Sequence, residues 1–214
     1  MTRSFHLPRF YPILDAEALW GAGLSLEAAA RALHAAGVRW TQYRDKAASD
    51  GEVVERMRLL RTVFPPGEST LILNDRVHLC AITVADGLHI GQEDMPPGEA
   101  RRMLGEDRLL GVSTHNAEQL TAALATGAAD YVAIGPVFGT QSKRNPDPVV
   151  GLNGLANARA LTDLPLVAIG GITEENAPAV IEAGADAVAV ISALLPEGGL
   201  GIEQRVRDFL ARLR

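Results

Sequence analysis

The sequence predicts an α/β chain closed into a single-domain (β/α)8 TIM barrel, and three observations carry that expectation. Eight short apolar runs of strand character alternate with helical patterns through the 214 residues. Most of those runs are apolar on both faces, as parallel strands covered by helices must be. A helix-to-strand junction also recurs, in Ala36-Gly37-Val38, Gly127-Ala128-Ala129-Asp130-Tyr131 and Gly184-Ala185-Asp186-Ala187, with glycine where a helix ends in the left-handed cap. Eight such units in a chain of this length favour closure over an open, doubly wound sheet.

The expected strands are Tyr11–Leu14, Val38–Tyr43, Leu71–Leu73, Gly87–Ile90, Leu109–Val112, Tyr131–Ile134, Leu166–Ile169 and Ala187–Ile191, after a short N-terminal extension over about residues 1–10. Ser25 opens a helix over Leu26–Ala36, and Ser49 with Glu52 forms a capping box before Val53–Phe64. A helical pattern follows Asp75 directly, and Pro96-Pro97 opens Glu99–Leu104. Asn116 with Gln119 precedes Leu120–Thr126, a weakly marked helix lies near Leu155–Leu161, and Thr173 caps Glu174–Ala183. Ile202–Leu213 is a strongly amphipathic closing helix.

Composition bounds the function. With 47% hydrophobic residues the chain can bury one sizeable core and needs no second domain. A net charge of −6 argues against nucleic acid or an acidic membrane as partner, because such binding rests on clustered Lys and Arg. Cys80 is the single cysteine, set in an apolar helical pattern, so no disulfide forms and a reducing cytoplasm is expected. The longest apolar run, Ala187 to Leu195, is too short to cross a bilayer, and Arg3, His6, Pro8 and Arg9 interrupt any signal-like N-terminus. A homo-oligomer is compatible with all of this, and the sequence does not specify one.

In such a barrel the loops after the C-terminal strand ends build the site. Leu71-Ile72-Leu73 empties into Asn74-Asp75, and Gly87–Ile90 into Gly91-Gln92-Glu93-Asp94. If these strands are parallel neighbours, Asp75 and Asp94 share one rim and either repel or share a cation. Mg2+ is the usual occupant beside phosphates, since it keeps waters and needs few protein ligands. Taken singly, Asn74 and Asp75 read equally well as helix caps. Strand two presents Gln42 and Arg44 on the face of Val38 and Trp40, with Lys46 just beyond. The bland alternative is a solvated loop with an Asp45–Lys46 ion pair.

Ser113 ends strand five as a donor for a phosphate or for backbone. Nearby His115 reads as structural rather than as a proton carrier, and His6, His34, His78 and His89 show no metal-ligand spacing. Thr140, Ser142 and Lys143 stand in a Gly-punctuated loop after strand six, suited to gripping an anion and closing over it. Gly170-Gly171 and Ile191-Ser192 end strands seven and eight, where barrels often bind phosphate. Tight packing is the other reading of the glycine pair. Together these strand ends describe a site for two phosphorylated groups, one of them metal-bound.

The segments Gln42-Tyr-Arg-Asp-Lys46, Leu73-Asn-Asp75, Gly87-Leu-His-Ile-Gly-Gln-Glu-Asp94, Gly111-Val-Ser113, Gly135-Pro136 through Lys143, Ile169-Gly-Gly-Ile172 and Val190-Ile-Ser192 resemble, in order and spacing, the thiamine-phosphate synthase family. The resemblance runs from Tyr11 to the last helix. It implies a transferase on a TIM barrel, joining hydroxymethylpyrimidine diphosphate to hydroxyethylthiazole phosphate with release of diphosphate. It further implies Gln42 against the pyrimidine, Arg44, Lys46, Asn74 and Lys143 on the diphosphate with Ser113 beside it, and Asp75 and Asp94 on Mg2+. Arg44, Lys46, Ser113 and Lys143 would be the catalytic set. Thr140, Ser142, Gly171, Ile191 and Ser192 would receive the thiazole phosphate. Ser142 stands where threonine is more usual and keeps the hydroxyl, whereas Arg144 to Val149 is less typical.

Two other functions compete. A thiazole tautomase on a similar barrel carries a histidine where this chain has Pro136 and tends to lack the paired carboxylates. A non-catalytic phosphate-binding barrel is expected to have lost cations or acids that this chain retains.

Overall fold

A computed structural model describes residues 5–140, 147–195 and 201–214. In chain order the elements are β1 Phe10–Asp15, α1 Ala16–Gly21, α2 Leu26–Ala35, β2 Trp40–Arg44, α3 Asp50–Val63, β3 Thr70–Asn74, α4 Val77–Ile82, β4 Gly87–Ile90 and α5 Pro97–Leu104. They continue with β5 Leu109–Thr114, α6 Ala117–Ala125, β6 Tyr131–Ile134, α7 Gly151–Ala160, β7 Leu166–Ile169, α8 Ala177–Glu182, β8 Ala187–Val190, a 3-10 turn Ser192–Leu194 and α9 Ile202–Arg212. All eight strands are parallel, each paired with its sequence neighbours, and β1 closes on β8, so the expected barrel is formed. Among the described residues no helix is long and apolar enough to cross a membrane.

Alternation along each strand builds two cores. One side chain in two packs outward against the helices. The other set, including Tyr11, Ile13, Trp40, Ile72, Leu109, Tyr131 and Val167, fills the lumen. Phe5 and Leu7 join the lumen cluster from the N-terminal end, with Phe5 stacked 5.9 Å from Trp40, so the segment before β1 plugs the barrel floor. The inward face of β2 runs Trp40, Gln42, Arg44 and that of β5 runs Leu109, Gly111, Ser113. Each is apolar at the bottom and polar at the top, which leaves a polar bowl at one rim.

The opposite rim is fastened by a repeated bolt. Asp86, Asp130 and Asp186, just before β4, β6 and β8, accept the backbone N–H of Leu71, Leu110 and Leu166 respectively, each at 2.7 Å. Each also pairs with an arginine from the helix that precedes the first strand of the pair: Arg61 of α3 at 2.6 Å, Arg101 of α5 at 2.6 Å and Arg159 of α7 at 2.8 Å. Two of the recurring junctions, those carrying Asp130 and Asp186, together with Asp86, therefore lock strands two at a time. Asp130→Asn is expected to lower unfolding free energy by about 2 kcal/mol, the worth of charge-assisted bonds, with turnover unchanged; urea denaturation beside an activity assay checks both.

Boundaries shift where local signals conflict. Gly37, Gly127 and Gly184 take positive φ of 94°, 61° and 110°, as the caps require. The helix expected over Glu174–Ala183 begins only at Ala177. Thr173 N donates to Asn176 Oδ1 at 2.8 Å, making a turn, and Pro178 is tolerated only in a first turn. α7 starts at Gly151 rather than near Leu155, with no side-chain cap to announce it. α1, six residues long, was too short to show a periodicity; Asp15 caps it by accepting the Ala18 N–H at 2.9 Å.

Candidate active site

The β1–β2 register sets Arg44 beside Asp15, and the two form an ion pair in which Asp15 is almost fully buried. Arg44 is thus held at the bowl's edge with part of its guanidinium toward solvent. The Asp45–Lys46 pair considered for this loop does not form. Asp45 turns away to Arg56, accepts the Tyr43 hydroxyl at 2.9 Å, and caps the backbone of Ala47 and Ala48 at 3.1 and 3.0 Å. Lys46 reaches instead across to Asp75, Nζ to Oδ2 3.4 Å. With Asp45 bound elsewhere, the lysine is released toward the rim.

β3 and β4 are parallel neighbours, with Asn74 level with His89. Asp75 leaves the strand at φ 63°, the left-handed region that Asp and Asn tolerate best among residues with a side chain, and its N–H donates to the His89 carbonyl at 2.8 Å. Arg76 straps this turn to the β2 loop through Ala48 O at 2.5 Å and Asp50 at 2.6 Å. Asp94 is oriented by the Gly91 N–H at 2.6 Å. The Asp75 and Asp94 carboxyls then lie close enough to act on one another. Burial first, and Asp94 second, push Asp75 up to about 6, against the pull of Lys46. Two hard oxygen donors that resist being charged together suit a divalent cation that takes its remaining ligands from water and phosphate.

The bowl's floor holds a chain that sequence reading missed. Gln42 Nε2 donates to the Tyr11 hydroxyl at 2.9 Å, and the Tyr11 and Tyr131 hydroxyls are 2.9 Å apart. Tyr131 Oη is 3.1 Å from His89 Nδ1, and His89 Nε2 is 2.8 Å from Ser113 Oγ. Burial holds His89 down at about 4 and lifts Tyr11 to about 12, so both stay uncharged at neutral pH. The sequence around His89 shows no metal-ligand spacing. The signal was its place on the inward face of β4, two residues below the rim.

Across the bowl, Val137 and Phe138 donate backbone N–H groups to Ile169 O and Gly170 O at 2.9 and 3.0 Å, drawing the strand-six and strand-seven ends together. Gly170 and Gly171 have φ of 100° and 64°, and a Cβ on Gly171 would stand 2.8 Å from Phe138 Cβ. The glycine pair is thus required by close loop packing, with Gly171 at the bowl's edge. Ile191 and Ser192 lead into the 3-10 turn on the neighbouring strand. His115 is structural: Nδ1 bonds Gly135 O at 2.7 Å and Nε2 lies 3.5 Å from Asp147, spanning both flanks of the strand-six loop. Thr140 ends the described part of that loop. Ser142 and Lys143 lie outside the described residues. Gln42, Arg44, Lys46, Asn74, Asp75, Asp94 and Ser113 therefore gather on adjacent strands β2 to β5, and Thr140, Gly171, Ile191 and Ser192 on β6 to β8.

A sequence model described as thiamine monophosphate synthase matches residues 10–194. A thiamine-phosphate synthase of Koribacter versatilis is 47% identical over 213 residues, covering 98% of each chain. One of Chloroflexus aurantiacus is 41% identical over 187 residues, covering 87% of this chain and 85% of that one. Among solved structures, thiamine phosphate pyrophosphorylase from Pyrococcus furiosus superposes with a TM-score of 0.83 at 28% identity, covering 96% of this chain and 95% of the other.

Proposed function

Because the chain belongs to the thiamine monophosphate synthase family, we propose that it is a transferase joining 4-amino-2-methyl-5-hydroxymethylpyrimidine diphosphate to 4-methyl-5-hydroxyethylthiazole phosphate, giving thiamine phosphate and diphosphate. The observation that carries this reading is the Asp75–Asp94 pair on one rim, with Lys46 against it and Arg44 on the adjoining strand. Such a rim is built for a metal-bound polyphosphate.

Gln42 faces the pyrimidine. Arg44, Lys46 and Asn74 hold the diphosphate, Ser113 lies beside it, and Lys143 joins from the strand-six loop. Thr140, Ser142, Gly171, Ile191 and Ser192 receive the thiazole phosphate, the last three mainly through backbone groups. Asp75 and Asp94 hold Mg2+, which when bound supplies positive charge opposite the leaving group.

The C–O bond to the diphosphate breaks first, and its electron pair leaves with the diphosphate. The methylene carbon becomes cationic, stabilised by the 4-amino group through the ring, and the thiazole nitrogen lone pair then forms the new C–N bond. No protein nucleophile is needed. The chain's own residues contribute charge placed in advance, about 3–4 kcal/mol for each donor removed, and exclude water that would otherwise capture the cation.

Incubation with both phosphorylated substrates and Mg2+ is expected to release diphosphate and thiamine phosphate in equal amounts, and EDTA to stop both. Undiminished product in EDTA would remove Asp75 and Asp94 as metal ligands.

A further inference from the structure

We propose that His89 and Tyr131 are positioning residues for this reaction, acting through a buried one-way hydrogen-bond relay that starts at Gln42 and presents the Ser113 hydroxyl proton to the departing diphosphate. The inference rests on the activity proposed above and adds two residues to it.

The direction follows from counting protons. Gln42 Nε2 is a donor, so the Tyr11 oxygen accepts from it, and the Tyr11 proton must go to Tyr131. Tyr131 then donates its own proton to His89 Nδ1. An uncharged imidazole accepting at Nδ1 carries its hydrogen on Nε2, which points at Ser113 Oγ. Ser113 therefore accepts from below and keeps its proton free for the bowl. The reverse order would make Tyr11 accept from both Gln42 and Tyr131 and leave its own buried proton without an acceptor in this chain of bonds. It would also turn the serine's lone pairs toward an anion.

A separate feature of the fold supports the relay. His89, Gly111 and Tyr131 are level on three adjacent strands, and Gly111 stands between the other two. A Cβ there would collide with the Tyr131 ring and with His89 Nδ1. Strand five gives up its side chain at the position where β4 and β6 must touch, and the two rings approach to 5.5 Å across it. Two residues on, the same strand delivers Ser113. A core that needed only filling would place an apolar side chain at Gly111, as β5 does one step below at Leu109.

Two measurements test this. In wild type, 15N spectra of the His89 ring are expected to show a protonated Nε2 and a bare Nδ1; a proton on Nδ1 overturns the relay. Tyr131→Phe removes the middle proton and is expected to lower kcat roughly tenfold with KM for the pyrimidine substrate little changed, the kinetic equivalent of one hydrogen bond. In a Ser113→Ala background the same change is expected to cost less than about twofold, because the relay then has nothing to position. Equal losses in both backgrounds overturn it, since a purely structural role is blind to Ser113. Tyr11→Phe, one link upstream, is the second variant if Tyr131→Phe does not fold. Wild-type product formation is scored alongside: if it is absent the proposed activity fails, whereas the wrong tautomer or equal losses sink the relay alone.

Discussion

Asp75→Asn is expected to lower turnover about a thousandfold, the upper range for removing one preorganised electrostatic group, while making the metal-free protein more stable at pH 8. The two effects have one cause. Asp75 is held up to about 6, above its ordinary 3.8, by burial and by Asp94. A carboxyl raised on folding contributes its stability below pH 4 and loses it as pH rises through 6, so the metal-free wild type carries an unrelieved repulsion at pH 8. Asparagine removes the charge and also tolerates the left-handed backbone at φ 63°, where alanine would add about 1 kcal/mol of strain. Mg2+ should raise the wild-type Tm more at pH 8 than at pH 5, because the ion competes with a proton for Asp75. In Asp75→Asn that increment should vanish. A variant whose Tm still climbs with Mg2+ as the wild type's does would mean that the ion sits elsewhere.

The same carboxylate pair shows what a sequence can and cannot disclose. Asp75 and Asp94 were legible because each ends an apolar run, and a parallel barrel has only one rim to which such ends can point. Alternation likewise put Gln42 and Arg44 on one face. Partner choice was not legible, because it depends on register between strands. Asp15 lies just past the expected strand Tyr11–Leu14 and carries no signal of its own; only the alignment of β1 with β2 sets it against Arg44. Lys46 and Asp45 are adjacent in sequence yet point to different neighbours, since the loop's own N–H groups claim Asp45. The floor relay was hidden for a related reason. Tyr11 and Tyr131 count as apolar in a strand pattern, and only closure of the barrel makes their hydroxyls meet.

Arg44→Met is expected to damage both stability and turnover, and a second substitution separates the two. Met keeps much of the stem volume but strips the charge, leaving Asp15, only 7% exposed, without a cation. Breaking a buried pair from one side costs about 3–5 kcal/mol; Arg44 is partly exposed, so the lower end is expected. Turnover should fall about a hundredfold or more from the lost diphosphate contact. Adding Asp15→Asn removes the stranded charge and keeps an oxygen to cap α1 at Ala18, so it should restore most of the lost stability. It should restore none of the lost turnover, because no cation returns to the rim. Chemical denaturation and steady-state rates on the single and double variants read the two quantities independently. If the double variant recovers turnover along with stability, Arg44 serves only to neutralise Asp15, and the diphosphate must be held by Lys46, Asn74 and the strand-six loop without it.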